Sequence, residues 1–209
     1  MNKEFLRMIR GVSYLLSYIF MEYPRGLDFS LRNKSSGITL LGNHGYALTS
    51  KKALQNILKE IPFAGKTFLD IGSGKGGVIC YAYLLGCSRC AGVEFEKHLH
   101  EIAEKNINIL KLRSYCTSYN MDARDFDMYE NFDIYFLFNP FDYGIYEQVI
   151  SKIVTSNLNT NNEIKYLICY GDANIKTVIE SNYFELVKES ECPYRGNLFR
   201  IFRSKTPVN

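Results

Sequence analysis

Four clusters in the 209-residue sequence set acidic, glycine and amide residues where a ligand could be held and acted on. The stretch FLDIGSGKGG, residues 68–77, carries glycines in two overlapping registers. Gly72, Gly74 and Gly77 fit G-x-G-x-x-G, whereas Asp70, Gly72, Gly74 and Gly76 fit D-x-G-x-G-x-G. Both describe a strand end where glycines let the backbone turn tightly and approach a ligand before a helix begins. Glu94, Asp122 and the run Phe138-Asn139-Pro140-Phe141 follow downstream. The glycines do not choose a ligand, because Gly76 and Gly77 are both present, but charge does. A pyrophosphate is anionic and favours a helix N-terminus, and Asp70, two residues ahead of the first glycine, would repel it. A cationic ligand group would be attracted there. A phosphate loop is excluded, since Gly65-Lys66-Thr67 mimics only the end of G-x-x-x-x-G-K-[ST] and position 60 is Glu.

The elements that must hold these residues are legible from residue 67 onward. Short β-branched and aromatic runs at 67–71, 90–95, 115–120, 132–138 and 164–170 read as strands. Helical spacing marks 76–85, 97–110, 143–154 and 174–181, while 121–131 is too short and mixed to assign. Such alternation implies right-handed crossovers and a doubly wound, mostly parallel α/β sheet. Two further strand-like runs, 184–190 and 197–203, have only ECPYRG between them and predict an antiparallel hairpin. Ahead of the sheet, 50–58 reads as a helix capped by Thr49 or Ser50. The segment 22–47, with Pro24 and glycines at 26, 37, 42 and 45, reads as loop-rich.

In this arrangement Glu94 ends the strand next to that of Asp70, so its carboxylate faces the same crevice and can accept hydrogen bonds from ribose hydroxyls. Asp122 sits just beyond the third strand and Asn139 at the end of the fourth. Residues 67–142 resemble the cofactor half of class I S-adenosylmethionine (SAM)-dependent methyltransferases, and the seven-strand order to residue 203 fits that family. The resemblance implies a Rossmann-like sheet ending in the hairpin, and SAM as cofactor. It implies that Asp70 meets the cationic methionine end, that Glu94 and Phe95 contact the ribose and adenine region, and that Asp122 accepts from the adenine amino group beside Met121 and Ala123. Gly72, Ser73, Gly74 and Gly76 would make room for the ligand. Tyr46 and Thr49, in a Tyr-x-x-Thr segment, would fold over the methionine end, with His44 a candidate base.

Asn139-Pro140-Phe141 resembles the [D/N/S]-P-P-[Y/F/W] motif of amino-group methyltransferases, with one proline missing. By that resemblance Asn139 and the Pro140 carbonyl orient an acceptor amine and Phe141 stacks on it. Simple strand termination, with Phe141 packing, is the competing reading. Small bacterial methyltransferases with an F-N-P-F end to this strand are similar.

Composition bounds the alternatives. Hydrophobic residues at 46% and charged ones at 22% describe one folded domain, not a disordered chain. The expected division is an N-terminal helical extension or lid over 1–60 and the SAM-binding domain over 61–209. A net charge of +3 spread along the chain gives no sign of binding driven by a phosphate backbone. It tilts the acceptor toward a small molecule or protein side chain, with an N or O nucleophile. An NAD-dependent oxidoreductase, a nucleic-acid base amino-methyltransferase and a SAM-fold module without turnover are the other readings. Apolar residues at 5, 9, 12, 16 and 19 predict an amphipathic helix of about 17 residues, too short and too charged to span a membrane. It would pack on the domain or join two copies in a homodimer, with a membrane-surface anchor as the alternative. Cys87-x-x-Cys90 has no second pair and predicts no zinc site. Cys80 and Cys169 read as buried thiols of a cytoplasmic protein, and His98 and His100 as surface residues.

Overall fold

The computed structural model describes residues 16, 18–30, 47–158, 163–171, 175–192 and 198–205. The apolar runs form seven strands: β1 Thr67–Ile71, β2 Arg89–Glu94, β3 Cys116–Asn120, β4 Ile134–Leu137, β5 Tyr166–Tyr170, β6 Phe184–Glu191 and β7 Leu198–Ser204. The helices are α1 Lys51–Leu58, α2 Gly77–Leu85, α3 Lys97–Ile109, α4 Tyr143–Asn157 and α5 Lys176–Glu180. β4 is shorter than its apolar run. Phe132 closes a 3-10 turn, Tyr129–Asn131, and Asn139 leaves the strand in the left-handed conformation at φ 41.

The sheet order is β3-β2-β1-β4-β5-β7-β6, with β1 to β5 parallel. β7 lies antiparallel to both β5 and β6, so the expected hairpin closes the sheet with its second strand inside and β6 at the edge. The chain winds outward one way from β1 to β3, then returns to place β4 on the other side of β1. That reversal opens a crevice beyond the carboxyl ends of β1 and β4, where ligands of doubly wound sheets bind.

Alternation along the strands feeds two cores. Phe68, Phe136, Ile168 and Ile201 face Leu54, Ile57 and Ile79 on one side. Leu69, Ile71, Leu167 and Phe202 face Val149, Ile150 and Ile153 on the other. Burying each such side chain contributes ~1.5–3 kcal/mol, and both faces must be apolar because helices cover both. At the opposite end from the crevice, Asp133 accepts from Thr67 N at 2.9 Å and Thr67 Oγ1 at 3.0 Å, joining the starts of β1 and β4.

Ser50, not Thr49, caps α1, its hydroxyl accepting from Ala53 N at 3.2 Å. Most of the expected N-terminal helix lies outside the described residues. Tyr18–Glu22 forms a π turn, Tyr23–Arg25 a 3-10 turn, and the chain then runs inward through buried Leu27 and Phe29. No helix among the described residues is long and apolar enough to cross a membrane. All six cysteines are buried and unpaired, Cys80 and Cys169 among them.

Candidate cofactor and active site

The glycine loop is shaped by its neighbours as much as by itself. Gly72, Gly74 and Gly76 hold φ of 84, 54 and 76, values that suit glycine. Val93 O accepts from Gly72 N at 2.9 Å and from Ser73 N at 3.1 Å, and Glu94 Oε2 accepts from Gly74 N at 2.7 Å. Glu94 Oε1 also accepts from Glu96 N at 2.8 Å, so this carboxylate braces the loop as well as facing the crevice. A Cβ on Gly72 would lie 2.5 Å from Pro140 Cβ. The first glycine is thus what lets β1's turn and the Asn139-Pro140 turn meet.

One cavity gathers Thr49, Asp70, Gly72, Ser73, Gly74, Glu94, Phe95, Asp122, Ala123, Asn139, Pro140 and Phe141. Gly76 is not in its wall. It turns into α2 and faces α3, where a Cβ would lie 3.0 Å from Ala103 Cβ, while Gly77 lines the cavity. The D-x-G-x-G-x-G register therefore supplies the first two glycines of the wall, and the other register supplies the third. Tyr46 and His44 lie outside the described residues. His98 is exposed, but His100 is half-buried, with Nδ1 2.9 Å from Ser118 Oγ.

The cavity is electrostatically negative and incompletely satisfied. Burial first, then the neighbouring Glu94, pushes the Asp70 carboxyl well above the usual carboxylate range. Burial also raises Glu94, opposed by the N–H groups of Glu96 and Gly74. No ion pair forms at Asp70 among the described residues. The hydroxyls of Thr49 and Ser73 are buried without a hydrogen-bond partner there. Two buried acids and two waiting hydroxyls fit a ligand that is cationic and rich in polar groups. Asp122 differs, since Arg124 holds it: Oδ1 accepts from Arg124 N at 2.8 Å and Nε at 3.0 Å, and Oδ2 from Nη2 at 2.7 Å. These bonds keep its carboxyl below the usual range.

Beyond β4, a Cβ on Gly171 would lie 2.7 Å from Asn139 Nδ2, so the bare backbone leaving β5 makes the slot for that amide. Phe138 packs on Tyr170 with ring centroids 4.6 Å apart, and Phe141 lies against Tyr146 at 6.2 Å. Phe141 is only 8% exposed, so it packs as well as lining the cavity.

Two residues of this construction were not anticipated. Gly171 has φ 93 and follows a strand with no motif around it. Gly92 stands inside β2, where a Cβ would come within 2.4 Å of both Ser73 Cβ and Oγ. A glycine inside the CAGVEF run is the readable signal for such close backbone approach.

A doubly wound sheet closed by an antiparallel hairpin, with a glycine loop and buried acids at its switch point, is the architecture of class I SAM-dependent methyltransferases. Residues 49–194 match the family model described as conserved hypothetical protein 95, and the chain belongs to that family. It is similar to the ribosomal protein L11 methyltransferase of Aquifex aeolicus, with 27% identity over 148 residues. That alignment covers 66% of this chain and 56% of the relative, so the chain spans little more than half the length of that protein. Among solved structures, an RNA methyltransferase from Salinibacter ruber in complex with S-adenosyl-L-homocysteine (SAH) superposes with a TM-score of 0.60 at 14% identity, covering 78% of this chain and 97% of the other. The B. subtilis M1A22 tRNA methyltransferase TrmK superposes at 0.61 with 16% identity, over 76% and 67% of the two chains. At these identities the superpositions speak for the fold.

Proposed function

We propose that the protein transfers the SAM methyl group to a nitrogen of a planar acceptor held at Asn139–Phe141, and that this acceptor is a base of RNA. The observation that carries the reading is the Asn139-Pro140 turn, held left-handed against Gly171 and packed on Gly72 beside Asp70. When bound, SAM supplies an electrophilic methyl group on a sulfonium. Asp70 would accept from the α-amino group, Ser73 and Thr49 would bond the methionine end, Glu94 would accept from the ribose and Asp122 from adenine, with Phe95 and Ala123 as apolar contacts. The Asn139 side chain and Pro140 carbonyl would accept from the acceptor N–H groups, aiming the nitrogen lone pair along the sulfur–methyl axis. The chemistry SAM would supply there is transfer of its sulfonium methyl to that nitrogen, with SAH as the leaving group, and the proton then in excess on nitrogen would pass to water. Orientation and excluded water supply the rate, without a strong base.

Sequence charge tilts toward a small molecule or protein acceptor, whereas the RNA and tRNA enzymes among the structural neighbours favour RNA. A protein side chain is the second reading, favoured by the match to the L11 enzyme. Labelled SAM with fractionated lysate separates them, because label should enter RNA and not protein, glycan or small molecules. Asn139→Ala should abolish transfer while sparing SAM binding. Loss of SAM binding alone would instead move Asn139 to the cofactor site.

A further inference from the structure

Lys75 is the one charged residue inside the glycine loop, in the sequence GSGKGG, and the cofactor reading leaves it without a task. A cation in this loop should oppose a cationic ligand. The structure turns it away from the cavity and buries it, its side chain 0% exposed and Nζ 2.7 Å from Asp28 Oδ1. Asp28 belongs to the N-terminal segment 18–30, and a second bridge ties the same two segments. Asn106, wholly buried in the last turn of α3, donates through Nδ2 to Lys75 O at 3.1 Å and to Asp28 O at 3.0 Å, while its Oδ1 accepts from Asp28 N at 3.0 Å. One amide therefore fixes the loop's backbone and the segment's backbone together.

The segment reaches the cavity through packing. Glu22 Oε2 accepts from Phe29 N at 2.6 Å and Ser30 N at 2.9 Å, holding the inward run in shape. Phe29 and Leu48 both press on Gly77, where a Cβ would lie 2.6 Å from Leu48 Cδ1 and 3.3 Å from Phe29 Cδ1. Leu48 and the adjoining Thr49 are cavity wall. The path runs from the Lys75–Asp28 pair, through Phe29, to Leu48 and the unpartnered Thr49 hydroxyl.

We propose that Lys75 is a positioning residue for the cofactor, latching segment 18–30 to the glycine loop so that docking of that segment and binding of SAM are thermodynamically coupled. The proposal rests on the SAM reading above. Because such coupling is reciprocal, the cofactor must tighten the latch as much as the latch tightens the cofactor.

The test uses the full chain with SAH as probe, in calorimetry, thermal denaturation and hydrogen exchange, on wild type, Lys75→Met, Asp28→Asn and the double variant. Saturating SAH should slow exchange of the Phe29 and Ser30 amides in wild type, which needs no variant to fold. Each single variant should lose stability, because it breaks the ion pair and keeps one of its charges, the wholly buried Lys75 or the partly exposed Asp28. Each should also bind SAH about tenfold more weakly, within the usual range of coupling between sites. The double variant removes both charges and should recover much of the lost stability, yet its SAH affinity should stay low. Affinity that recovers together with stability would mean a purely structural pair and overturns the proposal. Unchanged exchange at Phe29 and Ser30 on SAH binding overturns it as well. Wild type that binds no SAH overturns the SAM reading and this inference together, whereas wild-type binding with unaltered variant affinity overturns the latch alone.

Discussion

Gly92→Ala puts one methyl group where the glycine loop crosses β2. The new Cβ would lie 2.4 Å from Ser73 Cβ and 2.4 Å from Ser73 Oγ, with Ile79 Cγ2 next at 3.4 Å. Carbon atoms sit comfortably at about 3.5–4.0 Å, so Ser73 must retreat by roughly 1 Å. Overpacking of this kind costs about 1–3 kcal/mol. In a chain of this size each kcal/mol moves Tm by roughly 2–4 °C, so a fall of about 2–12 °C is expected. The retreat also strains the bonds that set the loop, Ser73 N to Val93 O and Gly74 N to Glu94 Oε2. A hydrogen bond to a charged group contributes about 1.5–3 kcal/mol, and about 1.4 kcal/mol is tenfold in affinity. SAH binding should therefore weaken by about tenfold or more. Ser73→Gly deletes both atoms that collide, so the double variant should regain the Tm lost to Gly92→Ala and part of the affinity, short only of what the Ser73 hydroxyl contributes. Calorimetry and thermal denaturation of the two singles and the double complete the cycle. The reasoning is refuted if Gly92→Ala keeps wild-type Tm and SAH affinity, or if the two substitutions simply add.

The raised Asp70 and Glu94 carboxyls make a prediction with opposite signs for the free and bound protein. The folded apo state holds these protons more tightly than the unfolded chain, so their contribution to stability is largest at low pH and is lost as pH rises through the raised values. Affinity for the cationic cofactor should rise over the same window, since it requires the ionised acids, and SAH titrations against pH should show this trend flattened in Asp70→Asn. Tyr135→Phe removes a buried hydroxyl that donates toward Tyr129 O at 2.7 Å and accepts from Asn157 Nδ2 at 2.8 Å. Leaving those groups short of a partner should cost about 1–3 kcal/mol, measured by denaturant unfolding, with SAH affinity unchanged because the pair lies away from the cavity. Gly171→Ala combines a φ of 93 with a Cβ 2.7 Å from Asn139 Nδ2, so methyl transfer should fall much further than SAH binding in a two-step assay.

Local chemistry in the chain determined a good deal. Strand and helix periods placed β1 through β7 and every helix from α2 to α5 within a few residues, most sharply for β1, β2, β4 and β5, because parallel strands covered on both sides must be apolar runs. Asp70's position at a strand end ahead of glycines argued for a cationic ligand, and the closing ECPYRG turn argued for the hairpin. Spacing along the chain cannot say which atoms meet across strands. Only the tertiary structure decided that Gly76 serves α3 while Gly77 serves the cavity, and that Glu94 braces the loop it faces. It alone brought Gly92 to Ser73, Gly171 to Asn139, and Asn106 to both Lys75 and Asp28. Such partners stand tens of residues apart in sequence, and the closeness of two backbones depends on the sheet order and on what lies opposite. Charge and period are properties a single segment carries by itself; fit between surfaces belongs to the folded pair.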